Sequence, residues 1–165
     1  MFNQNLLDYV SSSPTPYHAV KNAIALLSDY GFERLDETTD WSLNPGAGYY
    51  VIRRDSSIVA FRMGQHALSE TGLRIAGAPT DSPCLSITPD PALHPDGYWQ
   101  VGVETYGGVL LAPWFDRDLS LAGEVNDVDV SGELQSQLID LKRPVATVPS
   151  LSMHLDRTAH ESRSI

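Results

Sequence analysis

Apolar positions along the chain first recur at helical spacing and then at strand spacing. Leu6, Leu7 and Val10 predict a short amphipathic helix over residues 5–10, stopped at Ser11-Ser12-Ser13-Pro14. A second helix runs to about Tyr30, with Ser13 or Thr15 as its cap, Pro16 in its first turn and Gly31 at its end. Its predicted buried face is Ala19, Ala23, Ile24 and Leu27. After a short apolar link at residues 32–35 and an acidic loop at 36–40, the period shortens to two. Tyr49-Tyr50-Val51-Ile52-Arg53-Arg54 and Ile58-Val59-Ala60-Phe61-Arg62-Met63 read as the arms of a hairpin turned at Asp55-Ser56-Ser57. Arg53 and Arg54 are its rim charges, and residues 64–72, with His66, are a polar surface connection.

Residues 73–83 hold the pattern with the most chemical content. Leu73 and Ile75 suggest a buried strand that ends in small residues and delivers Asp81 between Thr80 and Ser82, closed by Pro83. A carboxylate at the carboxyl end of a strand is where open α/β sheets put their ligands. The same residues also suit a turn in which Asp81 caps its own backbone and does no chemistry.

Beyond Pro83 the texture becomes strand-rich. Residues 84–88 alternate like a strand, and residues 89–97 form a proline-rich loop with His94 exposed between prolines. Residues 98–106 alternate again before Gly107-Gly108. Residues 119–130 and 133–141 pair as a hairpin around Ser131-Gly132, although Leu134, Leu138 and Leu141 also fit a helix. A short strand at 145–148 is broken by Pro149. The fold class expected is α/β, with an N-terminal α/β part over residues 1–85 and a β-rich part over 86–165.

With 165 residues and 42% hydrophobic content, the chain can build a core. Its net charge of -10 argues against nucleic acid and anionic membrane surfaces as partners. Cys84 is the single cysteine, so no internal disulfide can form and a reducing compartment is expected. No basic-then-apolar leader and no apolar stretch near twenty residues occurs, so the expected location is cytoplasmic.

His18 and His154 each lack a second ligand at metal-binding spacing, so as isolated residues they read as packing or surface histidines. In Trp114-Phe115-Asp116-Arg117-Asp118, an arginine between two carboxylates reads as a local ionic network anchoring a loop. Tyr98, Trp99 and Trp114 could line a small-ligand site, but aromatics in hairpins more often fill cores.

Five segments together resemble one family. Gly77-Ala78-Pro79-Thr80-Asp81-Ser82-Pro83-Cys84-Leu85 is similar to the "GAHTDSPCL" segment of the aspartyl aminopeptidases, which are binuclear zinc exopeptidases. Ser13-Pro14-Thr15-Pro16-Tyr17-His18-Ala19-Val20 resembles the family's N-terminal signature, and Gly102-Val103-Glu104-Thr105-Tyr106-Gly107-Gly108 its "GVEVYGG". Trp114-Phe115-Asp116-Arg117-Asp118-Leu119-Ser120-Leu121-Ala122-Gly123 matches "WFDRDLSLAG", and Leu151-Ser152-Met153-His154-Leu155-Asp156-Arg157 resembles "LAIHLNR". The segments occur in family order along nearly the whole chain. The resemblance implies the N-terminal portion of a zinc aminopeptidase that releases N-terminal Asp or Glu from peptides. Residues 1–85 would open its catalytic domain and 86–165 would be part of a β-rich oligomerisation domain, both incomplete, in a homo-oligomer that in the family is a tetrahedral dodecamer. It also implies that Asp81 supports a histidine zinc ligand from behind, and that His154 contacts zinc or substrate across an oligomer interface.

One departure outweighs the agreements. Pro79 occupies the position of the family's first histidine ligand, and proline offers neither a side-chain donor atom nor a backbone N–H. The resemblance places the remaining ligands and the general-base glutamate in a C-terminal half that these residues do not include. The polar residues 158–165 lack the family's acidic "NE" continuation. The chain alone is therefore expected to be inactive and its zinc binding doubtful. The competing reading is a non-catalytic degenerate paralogue that keeps an assembly surface.

Overall fold

In the computed structural model the described residues are 2–93 and 95–157, with the backbone alone at Asp96. The expected exposure of His94 and the polar residues 158–165 lie outside them. Helix α1 spans Phe2–Ser11 and helix α2 spans Pro16–Asp29. Thr15 caps α2: its Oγ1 accepts the His18 N–H at 3.4 Å and lies 2.8 Å from His18 Nδ1. At the other end Gly31 adopts φ 72°, and the N–H groups of Gly31 and Phe32 donate to the carbonyls of Ser28 and Leu27. That pair of bonds satisfies carbonyls the helix leaves open, in a conformation glycine enters at little cost. Tyr9 Oη donates to the Ala19 carbonyl at 2.9 Å, tying α1 to α2.

Three strands follow: β1 (Glu33–Arg34), β2 (Gly48–Arg53) and β3 (Ser57–Arg62). β2 is central, parallel to β1 and antiparallel to β3, with Tyr49 opposite Glu33 on one side and Phe61 on the other. Four consecutive residues of β2, from Gly48 to Val51, are buried, as expected for a strand covered on both faces. The buried apolar side chains among the described residues are Ala19, Val20, Tyr49, Tyr50 and Val51, on α2 and β2. Tyr49 is only 2% exposed, and its hydroxyl accepts the Asn44 N–H at 2.9 Å. The α1 stripe, by contrast, stays in solvent at Leu6, Leu7 and Val10. The hairpin turn places Arg54 and Asp55 at φ 51°, the left-handed twist that matches tightly turned antiparallel strands.

The strand expected from Leu73 does not form. After the short helix α3 (Leu68–Thr71), residues 73–79 are irregular, with Leu73 72% and Ile75 87% exposed. A strand needs a neighbour for its N–H and C=O groups. The sheet order β1–β2–β3 ends without taking this segment in.

The proline-rich stretch is also more regular than its sequence suggests. β4 (Cys84–Leu93) runs through Pro89 and Pro91 and pairs antiparallel with β5 (Gln100–Tyr106). The register shifts between Ile87 and Ala92, so the prolines sit at a bulge, where the ladder does not require their missing N–H groups. β6 (Ala122–Val128) and β7 (Leu134–Asp140) pair over seven residues each, which resolves the helix-or-strand ambiguity at residues 133–141 in favour of strand. Residues 145–148 contribute isolated bridges, Leu119 with Ala146 and Phe115 with Val148.

Contacts divide the chain into two compact units. The first comprises Met1–Asp81 with Ala122–Asp140, and the second Ser82–Leu121 with Leu141–Ile165. The first holds α1–α3, β1–β3 and the β6–β7 hairpin; the second holds β4–β5 and the strap 141–157. No described helix is long and apolar enough to cross a membrane.

Candidate functional site

Asp81 lies half-buried at the end of the irregular segment, and the residue that fixes its turn is its neighbour. Thr80 Oγ1 donates to the Ser56 carbonyl at 2.8 Å, pinning the turn to the loop between β2 and β3. Hydrogen bonding rather than a strand end therefore places the carboxylate. Pro79, one residue further back, is exposed and carries no donor atom toward any ion.

His154 is exposed in a turn whose Leu155 and Asp156 N–H groups both donate to the Ser152 carbonyl, at 2.9 and 3.0 Å. It belongs to the second unit and Asp81 to the first. Among the described residues, no group of three or more histidine, cysteine, aspartate or glutamate side chains is arranged to hold a metal ion. A zinc centre of the kind the resemblance implies needs at least three protein ligands per metal and an open position for water. The described residues do not fit it.

Asp116 has a role that the sequence reading of this segment did not include. Its Oδ1 accepts the Ser150 N–H at 2.9 Å, Oδ2 accepts the Ser150 hydroxyl, and its own N–H donates to the Val148 carbonyl at 2.9 Å. The loop is anchored as expected, but the anchor reaches 34 residues along the chain, and adjacent Arg117 offers no hint of that. No linear pattern signals this grip, because it depends on the positive φ of Asp116, 55°, a backbone angle the sequence does not display.

The second unit also contains an apolar hollow of about 900 Å³. Trp99 and Trp114 line it together with Leu85, Val101, Leu119 and Val148, whereas Tyr98, Asp81 and His154 are not among its lining residues. Two of the three aromatics considered as a ligand site thus share a surface.

Among the described residues, Asp36, Glu37 and Asp129 have acidities held below the ordinary carboxylate range. Hydrogen bonds from Thr38 lower Asp36, a hydrogen bond from Arg53 lowers Glu37, and bonds from Ser131 and Glu133 lower Asp129. In each case the charged form is held by turn N–H and hydroxyl groups or by a surface arginine. None of the three is poised to carry a proton near neutrality.

Comparison with known proteins gives a consistent result. The family model described as aminopeptidase I zinc metalloprotease (M18) matches residues 9–165. A protein of Pseudomonas syringae pv. syringae named "Probable M18 family aminopeptidase 2" is 52% identical over 163 residues, covering 99% of this chain and 38% of its own length. A cryo-EM structure of the Ape4 and Nbr1 complex superposes with a TM-score of 0.82 at 38% identity, over 98% of this chain and 31% of that one. The mApe1 dodecamer of S. cerevisiae gives a TM-score of 0.80 at 30% identity, over 90% and 35% of the two chains. The chain thus spans well under half the length of the relatives it matches.

Proposed function

The chain belongs to the aminopeptidase I zinc metalloprotease family, M18, and from that premise we propose that it is the N-terminal portion of an aminopeptidase that removes acidic residues from peptide N-termini. The observations that carry this reading are the family-model match over residues 9–165 and the 52% identity over 163 residues to an aminopeptidase relative. In this reading residues 1–85 open the catalytic domain, and residues 86–165 are part of the domain through which copies assemble. A homo-oligomer is supported by the dodecameric neighbour. A cytoplasmic location fits a chain whose single cysteine cannot pair internally.

When bound, zinc supplies a Lewis acid and an activated water for amide hydrolysis. This chain's own part is different in kind. Thr80 fixes the turn that presents Asp81, and Asp81 would orient a histidine ligand that Pro79 has replaced. Carboxylates in such supporting positions are worth about 10 to 100-fold in affinity or activity. Without a ligand to orient, Asp81 retains its place and loses its task. His154 would face metal or substrate in an assembled oligomer.

The misfit at position 79 also favours a second reading, a degenerate paralogue that assembles but does not hydrolyse. Grafting decides between them. Residues 1–165 replace the matching region of the Pseudomonas syringae relative, and aspartyl and glutamyl chromogenic peptides are supplied with zinc. The aminopeptidase reading expects cleavage once Pro79→His is introduced, at least about 100-fold above the proline graft. A graft that assembles yet stays inert with histidine at 79 would establish the paralogue reading instead.

A further inference from the structure

Asp116 occupies the left-handed region at φ 55°, a conformation that disfavours every side chain except the short polar ones able to bond their own surroundings. A residue is held there only when its neighbours over-determine it. Among those neighbours are Val148 and Ser150, one on each side of Pro149. The Asp116 N–H donates to the Val148 carbonyl, and both carboxylate oxygens accept from Ser150, one from its N–H and one from its hydroxyl. Pro149 has a nearly fixed φ and no N–H, so the Val148 carbonyl and the Ser150 N–H are the backbone handles that flank it. Gripping both sets the direction in which the chain leaves the clamp.

Further bonds secure the root. Leu119 donates to the Ala146 carbonyl at 2.9 Å, and its own carbonyl accepts the Val145 and Ala146 N–H groups at 2.9 and 3.2 Å. Residues 115–119 therefore hold residues 145–150 along their length. Only Leu151 separates Ser150 from Ser152, whose carbonyl closes the turn that carries His154. We infer that Asp116 is a positioning residue for His154: it fixes the exit of the strap and so limits where the imidazole can be presented. The inference rests on the proposed role of His154 at the active site. It assigns Asp116 no contact with substrate or metal.

Three substitutions separate the clamp from the backbone strain. Asp116→Gly accepts the positive φ but removes both acceptors. Asp116→Asn accepts the same φ, keeps Oδ1 as acceptor for the Ser150 N–H and turns its amide N–H toward the serine hydroxyl, which can accept. Asp116→Ala loses both conformational tolerance and clamp.

The test uses the 165-residue chain without metal or substrate. Amide hydrogen exchange at Ser150 and the ¹⁵N heteronuclear NOE at His154 are measured, with the β6–β7 amides as internal reference. Asp116→Gly should speed Ser150 exchange by about tenfold, the scale of one or two lost hydrogen bonds, and lower the His154 NOE. Asp116→Asn should restore both, and the β6–β7 amides should not move in either variant. The inference is overturned if Ser150 already exchanges freely in the parent chain, or if glycine at 116 frees Ser150 while His154 stays as ordered as before. His154→Ala in the graft with Pro79→His tests the underlying role separately: undiminished kcat/KM there removes the role of His154 while leaving the clamp's own result intact.

Discussion

A Cβ built on Gly48 would lie 2.7 Å from the ring of Phe32, closer than side-chain carbons approach one another in folded proteins. The first residue of the central strand is therefore glycine for lack of room, and the ring above it also carries the Arg62 guanidinium, 4.9 Å from its centroid. Gly48→Ala must push Phe32 off this seat. The expected cost is about 1–3 kcal/mol, the usual penalty for overpacking, read as a lower urea midpoint with an unchanged slope.

Thr15 supports the start of α2 through its bond from the His18 N–H and its contact with His18 Nδ1. Thr15→Ala should cost about 1 kcal/mol, and Thr15→Ser should recover most of it, since the acceptor oxygen is what the helix end requires. Thermal denaturation followed by far-ultraviolet circular dichroism compares the three proteins.

The turn between β6 and β7 is organised by Asp129, whose carboxylate accepts from the Ser131 N–H and hydroxyl, the Glu133 N–H and the Gln135 side chain at 2.6–3.0 Å. The Ser131 hydroxyl bond is the largest cause holding its acidity below the ordinary aspartate value. A carboxyl with a depressed folded pKa binds its proton more weakly in the native state. Its contribution is therefore complete above the unfolded value near 4 and disappears as pH falls through the lower folded one. Carboxyl-carbon NMR should show Asp129 titrating below the ordinary aspartate value, and the β6–β7 amides should lose protection over that acidic range. In Asp129→Asn the pH dependence of these amides should flatten.

Much apolar surface is open among the described residues. Ile75, Trp99, Leu110 and Leu134 are each more than 70% exposed, and the second unit contributes none of the buried apolar side chains among the described residues. Exposed patches of this kind bind hydrophobic dyes and drive association. The purified chain should enhance anilinonaphthalene sulfonate fluorescence and sediment faster with rising concentration. A concentration-independent monomer without dye binding would show that these residues are covered.

How much of this was legible in the sequence depends on how far the information travels along the chain. Thr15, Pro16 and Gly31 announce the bounds of α2 because caps act within one helical turn, and the β2–β3 hairpin follows from alternation and a short turn. Leu73 and Ile75 carry an equally good strand pattern, yet a strand is completed by neighbours and the β1–β2–β3 sheet does not supply one. Pro89 and Pro91 misled in the opposite direction, because a bulge lets a strand carry prolines that would break its regular ladder. For the candidate site, Asp81, Pro79 and His154 were named by segment likeness alone, and the described residues build no three-donor group around them, while the grip of Asp116 on Ser150 spans 34 residues and depends on a backbone angle.

The most direct test of the account is the zinc content of the purified 165-residue chain. The protein is refolded or expressed with zinc in excess, dialysed against buffer without chelator, and measured by inductively coupled plasma mass spectrometry alongside an Asp81→Ala variant. With Pro79 in the ligand position and no three-donor group among the described residues, the account predicts far less than one zinc per chain and no difference between the two proteins. Two tightly held zinc ions per chain, lost on changing Asp81, would contradict it.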